Sequence, residues 1–346
     1  MTSQLHPLAG RYLDAIYELP DELRARRDLD DELAAHMTGG LQLCIRGFWR
    51  IGKTTLMRGV LQRACERTGG AAFVLDLRDP EREDGAPPSV EVVLQRVAAK
   101  VDEFLGRVGA AGLKAEVQRP LQVLGELAAP LFVGFDELIA LTPLGAEGMA
   151  RVIDALLDVP KNVKVVLVCH RHRDADALFE EKVVSRPAIS DEELVTLVQT
   201  PANALGVSFE NEALGALAEI SGNRPWELFS LCAVLASRLP PDFKGAITPA
   251  QCDELVNLDL LGESDEGRAL LDHHLRALVT AMSAEERTVV ELLSAGKEGE
   301  ASEAAIAQLE AAGFVVATDA GYAVNGALFE FVSRGLVEGA ISVSVE

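Results

Sequence analysis

Residues 47–55 read GFWRIGKTT and match the phosphate-loop pattern G-x-x-x-x-G-K-[ST]. In such a loop, consecutive backbone N–H groups point inward at the start of a helix, where the helix dipole favours phosphate. Gly47 and Gly52 permit the turn and the close backbone approach, whereas the bulky residues between them contribute backbone only. Lys53 would bridge the β- and γ-phosphates, and the Thr54 hydroxyl would ligate Mg²⁺. The stretch therefore predicts a nucleotide site.

The flanking sequence has the strand and the helix that a phosphate loop requires. Residues 41–47, LQLCIRG, form a short apolar run, and a helical pattern follows from Thr54 to a stop at Gly69–Gly70. Continuous apolar runs suit parallel strands that are buried on both faces. Alternation of such runs with helices predicts an α/β fold, a P-loop NTPase core with a parallel, doubly wound sheet. The further predicted strands are 71–77, 130–137 and 163–170.

An acidic pair, Asp136–Glu137, ends the apolar run PLFVGFDE at residues 130–137. Carboxylates at the end of a buried strand are costly unless they serve a cation or a water. We expect Asp136 to hold Mg²⁺ through its water shell and Glu137 to accept a proton from the attacking water as general base. The alternative is a strand end whose carboxylates simply face solvent.

A second apolar run ends in polar residues at VVLVCHRHRD, residues 165–174. Strand ends in such a sheet point at the γ-phosphate, so Arg171 is a candidate to sense that phosphate and to stabilise charge in the transition state. Cys169, His170 and His172 could be interpreted as a metal cluster, but no fourth ligand lies nearby in the sequence. The sequence therefore disfavours a metal site at these residues.

From Asp191 the pattern becomes all-helical, and ISGNRPWELFSLC (220–232) marks a turn between two helices. Gly222 ends one helix and Pro225 begins the next, at a position where its missing N–H costs nothing. Two interpretations stay open: an ordinary helix–helix turn, or a turn that lies against the nucleotide base.

The last hundred or so residues have a different order of predicted helices and strands. Ser283 is predicted to cap a helix, with Glu286 in the capping-box position, and a second helix follows at SEAAIAQLEAAG. Two short apolar runs around residues 319–321 predict a hairpin with a three-residue turn, and ALFEFVSRGL predicts a last helix. Helix, helix, hairpin and helix is the outline of a winged-helix domain.

Bulk properties narrow the class of protein. The chain has 346 residues, five scattered cysteines and a formal charge of −22. It shows no signal pattern and no apolar run near the ~20 residues of a membrane span, so we expect a cytoplasmic protein without a membrane partner. The cysteines are expected to be buried thiols, because no C-x-x-C spacing occurs. The negative charge argues against nucleic acid as a partner.

The chain resembles the STAND-type ATPases, particularly the archaeal-ATPase-like branch of the AAA+ superfamily. That family pairs a G-x-R-R-x-G-K-T-S-L loop with an Asp-Glu strand and a T-G-G-x-P-Y lid. The resemblance extends over residues 31–340. Departures occur at Trp49, Thr55, Asn223, Trp226 and Phe229. The loop residues in place are Gly47, Arg50, Gly52, Lys53, Thr54 and Leu56, and the lid residues are Gly222 and Pro225.

The resemblance implies a switch ATPase that uses ATP and Mg²⁺ and passes between ATP and ADP states. Pro225 would then lie near adenine, and Arg171 would occupy the sensor position. A separate effector or partner protein and an ATP-dependent homo-oligomer are implied as well. The preference between ATP and GTP stays open. The loop residues implied to contact nucleotide are Gly47, Arg50, Ile51, Gly52, Lys53, Thr54 and Thr55.

We predict four segments: an N-terminal helical extension (1–30), the ATPase core (31–185), a helical lid (186–245) and a winged-helix domain (246–346). The alternative to a switch that regulates or assembles a partner is a nucleic-acid ATPase of the initiator, loader or transposition type. Residues 251–346 contain 18 acidic and 5 basic residues, and the predicted second helix of the winged helix has no Lys or Arg. A DNA reader needs phosphate contacts, so the charge favours the switch. A small-molecule kinase would need an acceptor pocket, of which the sequence gives no sign.

Overall fold

The computed structural model describes residues 6–17, 28–47, 52–78, 89–170, 183–184, 191–255, 282–297, 300–311, 313–326 and 329. Its elements in chain order are α1 (Pro7–Tyr17), α2 (Asp28–Thr38), β1 (Leu43–Gly47), α3 (Lys53–Thr68), β2 (Ala71–Asp76), α4 (Val90–Arg107), β3 (Leu131–Asp136), α5 (Gly145–Leu157), β4 (Val163–His170), β5 (Val183–Val184), α6 (Asp191–Asn203), β6 (Val207–Phe209), α7 (Asn211–Ser221), α8 (Pro225–Ser237), β7 (Gly245–Ile247), α9 (Pro249–Leu255), α10 (Ala284–Ser294), α11 (Glu303–Ala311), β8 (Val315–Thr318) and β9 (Gly321–Val324). Short 3₁₀ helices cover Gln122–Glu126 and Leu138–Leu144.

The chain divides into two compact units. Residues 26–47 and 53–185 form one, here called the sheet unit. Residues 1–25, 48–52 and 186–346 form the other, here called the helical unit. The four segments predicted from the sequence stay predictions.

The sheet unit is built on a five-stranded sheet in the order β2-β3-β4-β1-β5, in which every described pairing is parallel. One face packs against α2 and α3 through residues such as Ile45, Phe132 and Val166. The opposite face packs against α4 and α5 through residues such as Val133 and Phe135. This arrangement confirms the predicted α/β fold with a doubly wound parallel sheet, because buried strands alternate with helices that cover both faces.

A glycine in the middle of β3 sets the distance between that strand and α3. A Cβ atom at Gly134 would lie 2.6 Å from Met57 Sδ and 3.0 Å from Leu61 Cδ1. The missing side chain therefore lets α3 pack closely on the strand that ends at Asp136. This contact explains why the apolar run PLFVGFDE contains a glycine at all.

The helical unit is organised around α8, whose side chains are buried almost all the way round. Helix α1 packs against it, and the Tyr12 hydroxyl donates a hydrogen bond to the carbonyl of Val198 at 2.7 Å. The all-helical prediction for this region was wrong in one respect, since β6 and β7 form a short parallel pair. Each has three residues, too few for a period-2 pattern to stand out from the neighbouring helices.

The C-terminal part contains the two predicted helices and the hairpin. Ser283 and Glu286 form the predicted capping box at the start of α10. The hairpin turn has two residues, not three, because Thr318 pairs with Gly321 and Gly321 therefore belongs to β9. The predicted last helix lies outside the described residues except for Phe329, so the winged helix stays a prediction.

The cysteine prediction can be compared with the structure directly. Cys44, Cys169, Cys232 and Cys252 are buried thiols, and Cys65 is half-buried. The Cys44 and Cys169 sulfurs lie 3.7 Å apart on β1 and β4. None of the described helices has the length and apolar content that a membrane crossing requires.

Candidate nucleotide-binding site

The phosphate-loop residues lie where a strand gives way to a helix. Gly47 is the last residue of β1, and Lys53 is the first of α3. Gly52 has φ of 88°, a left-handed value that glycine adopts at little cost. Arg50 and Ile51 lie outside the described residues. The Lys53 side chain is buried, with only 5% of its surface exposed.

The Thr54 hydroxyl and the Asp136 carboxylate meet at the carboxyl end of the sheet. Thr54 Oγ1 donates a hydrogen bond to Asp136 Oδ2 at 2.7 Å. The backbone N–H of Glu137 donates to the other oxygen, Asp136 Oδ1, at 2.9 Å. The first turn of α3 and the end of β3 thus meet through the two side chains predicted to hold Mg²⁺.

Burial perturbs both charged groups at this point. It lowers the pKa of Lys53 to about 8, against the opposing effect of the Glu137, Cys169 and Asp136 charges. It also raises the pKa of Asp136, although the hydrogen bond from Thr54 acts in the opposite direction. A desolvated ammonium gains most from an arriving anion, because it has already lost its water.

Glu137 has an unusual backbone conformation. Its φ of 58° and ψ of 45° place it in the left-handed region, directly before the 3₁₀ helix Leu138–Leu144. A residue with a β-carbon pays about 1–2 kcal/mol for this conformation. In this conformation the backbone N–H of Glu137 donates its hydrogen bond to the side chain of the preceding residue, Asp136. Strain of this kind is concentrated at functional sites.

Two charged residues at the end of β2 were missed by the sequence analysis. Asp76 pairs in register with Asp136 on the neighbouring strand. Arg78 donates to Asp76 through Nε, at 3.1 Å from Oδ1, and its Nη1 lies 3.9 Å from Glu137 Oε1. The signal was available, since AAFVLD ends in an aspartate after an apolar run just as LFVGFD does. Arg78 therefore adds a positive charge beside the predicted general base.

The other predicted site residues are distributed as follows. Thr55 is half-buried in the first turn of α3. His170 ends β4 and pairs with Gly47 in register, so the end of β4 lies beside the start of the loop. Arg171 lies outside the described residues. Pro225 begins α8 in the helical unit, and its place near adenine stays a prediction.

The oxygen donors present suit a small hard cation. Within the described ranges no group of three or more His, Cys, Asp or Glu side chains comes together as a metal cage. Mg²⁺ does not need one, because it is commonly bound by one or two protein oxygens, by substrate phosphates and by water. Thr54 and Asp136 fit that description.

Comparison with known proteins identifies the fold but not the family. No protein-family model matches the chain, and no curated protein matches its sequence. The Walker-type ATPase PABY2304 of Pyrococcus abyssi superposes with a TM-score of 0.57 at 16% identity, covering 92% of this chain and 99% of that one. The chain therefore has the fold of a P-loop ATPase.

Weaker structural similarity extends to two other solved structures. The Aeropyrum pernix ORC1 protein in complex with DNA gives a TM-score of 0.47 at 14% identity, covering 94% of this chain and 98% of that one. The Thermotoga maritima RuvB Holliday junction branch migration motor gives 0.46 at 13% identity, covering 94% and 100%. Both values are too low to carry an argument. They give no support to the expectation against nucleic acid, which stays a prediction.

Proposed function

We propose that this chain binds ATP with Mg²⁺ at the β1–α3 loop and hydrolyses it slowly, as a switch that regulates or assembles a partner protein. One observation carries the proposal. The Thr54 hydroxyl lies 2.7 Å from the Asp136 carboxylate, in the first turn of the helix that begins with the buried Lys53. A hydroxyl, a carboxylate and a desolvated amine at the carboxyl end of a parallel sheet suit a phosphate and its cation.

Each side chain has a distinct role in the proposed reaction. Lys53 binds the β- and γ-phosphates, and Thr54 and Asp136 hold the cation. Mg²⁺, when bound, neutralises charge on the phosphate oxygens. Glu137 accepts a proton from the attacking water, and Arg78 keeps a positive charge near it. Arg171 senses the γ-phosphate, and Pro225 contacts the adenine.

The switch role rests on the family resemblance and on charge. A chain with a formal charge of −22 has little general attraction for nucleic acid. The exposed side of α11 carries Glu303 and Glu310 and no basic residue. We therefore propose a separate protein partner, with self-association in the ATP state, over a role on DNA.

Glu137→Gln is the test of the hydrolytic role. The variant should bind ATP as the wild type does, while the chemical step slows by roughly 10²–10⁴, the usual effect of a lost general base. Single-turnover hydrolysis of radiolabelled ATP measures this. Glu147→Gln, an exposed change in α5, is the matched control. Wild-type hydrolysis by Glu137→Gln would show that the base is another residue.

A further inference from the structure

The helix–helix turn before α8 contains a buried arginine that the proposed ATP site does not use. Arg224 precedes Pro225 and is 3% exposed. Its Nε donates to Glu227 Oε1 at 2.8 Å, and the Glu227 side chain is 2% exposed. The two residues are separated by one helical turn, so this ion pair belongs to α8 itself.

The rest of the guanidinium faces the C-terminal hairpin. Nη1 donates to the carbonyls of Asn325, at 2.8 Å, and of Gly313, at 3.4 Å. The guanidinium carbon lies 5.2 Å from the ring centre of Phe314 and 5.3 Å from that of Phe329. Backbone acceptors and aromatic faces are both neutral partners, which Arg can engage together because its head is planar and forked.

Asn325 completes the contact from the hairpin side. Its Nδ2 donates to the carbonyl of Gly222 at 3.1 Å and to that of Gly313 at 3.0 Å. A Cβ atom at Gly326 would lie 2.8 Å from the Gly222 nitrogen. The backbone at the end of the hairpin therefore lies directly against the backbone of the α7–α8 turn. Both segments have a glycine at this point, Gly326 and Gly222.

The docked arrangement keeps polar atoms unsatisfied. Within the described part of the chain, neither Arg224 Nη2 nor Asn223 Oδ1 has a hydrogen-bond partner, although both atoms are buried. Such atoms disfavour a buried state and regain hydrogen bonds in water. Loss of the hairpin would expose the Arg224 guanidinium to water, and the Arg224–Glu227 pair within α8 would remain. No lone charge would be left buried, so the hairpin can leave as one piece.

We propose that Arg224 is a latch, a conformational device that holds residues 313–326 on the α7–α8 turn in the resting chain and releases them when the switch operates. The holding half follows from the contacts alone. The releasing half rests on the proposed ATP switch. The α7–α8 turn would then do more than connect two helices, because it would control whether residues 313–326 are held or released.

Hydrogen exchange of the whole chain without nucleotide tests the holding half. Arg224→Lys keeps the charge pair with Glu227 but loses the fork and the ring stacking. Asn325→Ala removes the two hydrogen bonds that the Asn325 side chain donates to the carbonyls of Gly222 and Gly313. In both variants the amides of residues 315–324 should exchange at least about tenfold faster than in the wild type, while those of β3 stay unchanged.

Arg11→Lys, an exposed change on α1, is the matched control and should exchange as the wild type does. Unchanged protection of residues 315–324 in either Arg224→Lys or Asn325→Ala would overturn the latch. If one variant failed to fold, the other would decide the outcome in the same way.

Nucleotide addition to the wild type tests the releasing half. ATP with Mg²⁺, but not ADP, should speed exchange of residues 315–324, and Arg224→Lys should show a smaller further increase. If calorimetry shows that ATP binds and the hairpin amides exchange equally with ATP and ADP, the releasing half is overturned. If ATP does not bind at all, the proposed function fails, and the nucleotide-free comparison still decides the holding half.

Discussion

At the residue scale, Lys53 is the group whose chemistry depends most on its surroundings. Burial in the first turn of α3 lowers its pKa from 10.5 to about 8. Phosphates beside the ammonium would raise the pKa again, because opposite charge favours the protonated form. A group with a higher pKa in the bound state contributes full affinity below its unbound pKa. That contribution is lost as the pH rises above it.

We therefore predict that ATP affinity falls as the pH rises through about 8, with net proton uptake on binding in the same range. Titration calorimetry at several pH values, in two buffers of different ionisation enthalpy, measures both effects. Lys53→Arg is the control. The guanidinium of the introduced arginine stays protonated over this pH range, so the ATP affinity of this variant should not fall as the pH rises. A wild-type affinity that stays level from pH 7 to pH 9.5 would contradict the assignment of Lys53 to the phosphates.

At the element scale, the close packing of α3 on β3 connects the fold to the site. A methyl group at Gly134 would meet Met57 Sδ at 2.6 Å, so the buried side chains of α3 must shift, and we expect α3 to move away from β3. Overpacking of this kind costs about 1–3 kcal/mol. The same displacement would move Thr54 away from Asp136, and the chain should lose ATP affinity together with stability.

Gly134→Ala and Gly106→Ala make a matched pair for this prediction. Gly106 lies in α4 with open space around its Cα, so alanine there should raise helix stability by about 0.5–1 kcal/mol. Urea unfolding gives the free energies, and calorimetry gives the ATP affinities. Equal stability of the two variants would show that the spacing between α3 and β3 does not constrain the site.

Strands β1 to β4 could be predicted from the sequence because each is a mostly apolar run that ends at a glycine or a polar residue, whereas β5 was not predicted. Asp136 and Thr54 could be predicted individually, but their hydrogen bond could not. It requires β3 to lie two places from β1 in the sheet, with β4 between them. Strand order depends on how the crossover helices pack, and no local pattern specifies that.

The residues that the sequence did not reveal as important depend on contacts with distant parts of the chain. Asp76 and Arg78 end a strand like that of Asp136, but their role appears only when β2 and β3 align in register. Arg224 is a charged residue in a polar turn, so the sequence indicates exposure. Its burial follows from Phe314, Phe329 and Asn325, which are some 90 to 105 residues further along the chain.

At the scale of the whole molecule, charge separates the two proposed classes of function. A chain with a formal charge of −22 should not hold duplex DNA at physiological salt. Fluorescence anisotropy of the full chain with a labelled random duplex is the measurement, with and without ATP and Mg²⁺. Sub-micromolar binding with a steep salt dependence would favour the nucleic-acid ATPase instead.

ATP binding by the intact chain tests the central claim most directly. Titration calorimetry at pH 7 with ATP and Mg²⁺ should give one saturable site in the wild type. In Lys53→Ala the affinity should be at least about a hundredfold weaker. A hydrogen bond to a charged group is worth about 1.5–3 kcal/mol, and the variant also removes the buried positive charge that attracts the phosphates. Equal affinity of Lys53→Ala and the wild type, or no heat of binding in the wild type, would contradict the account.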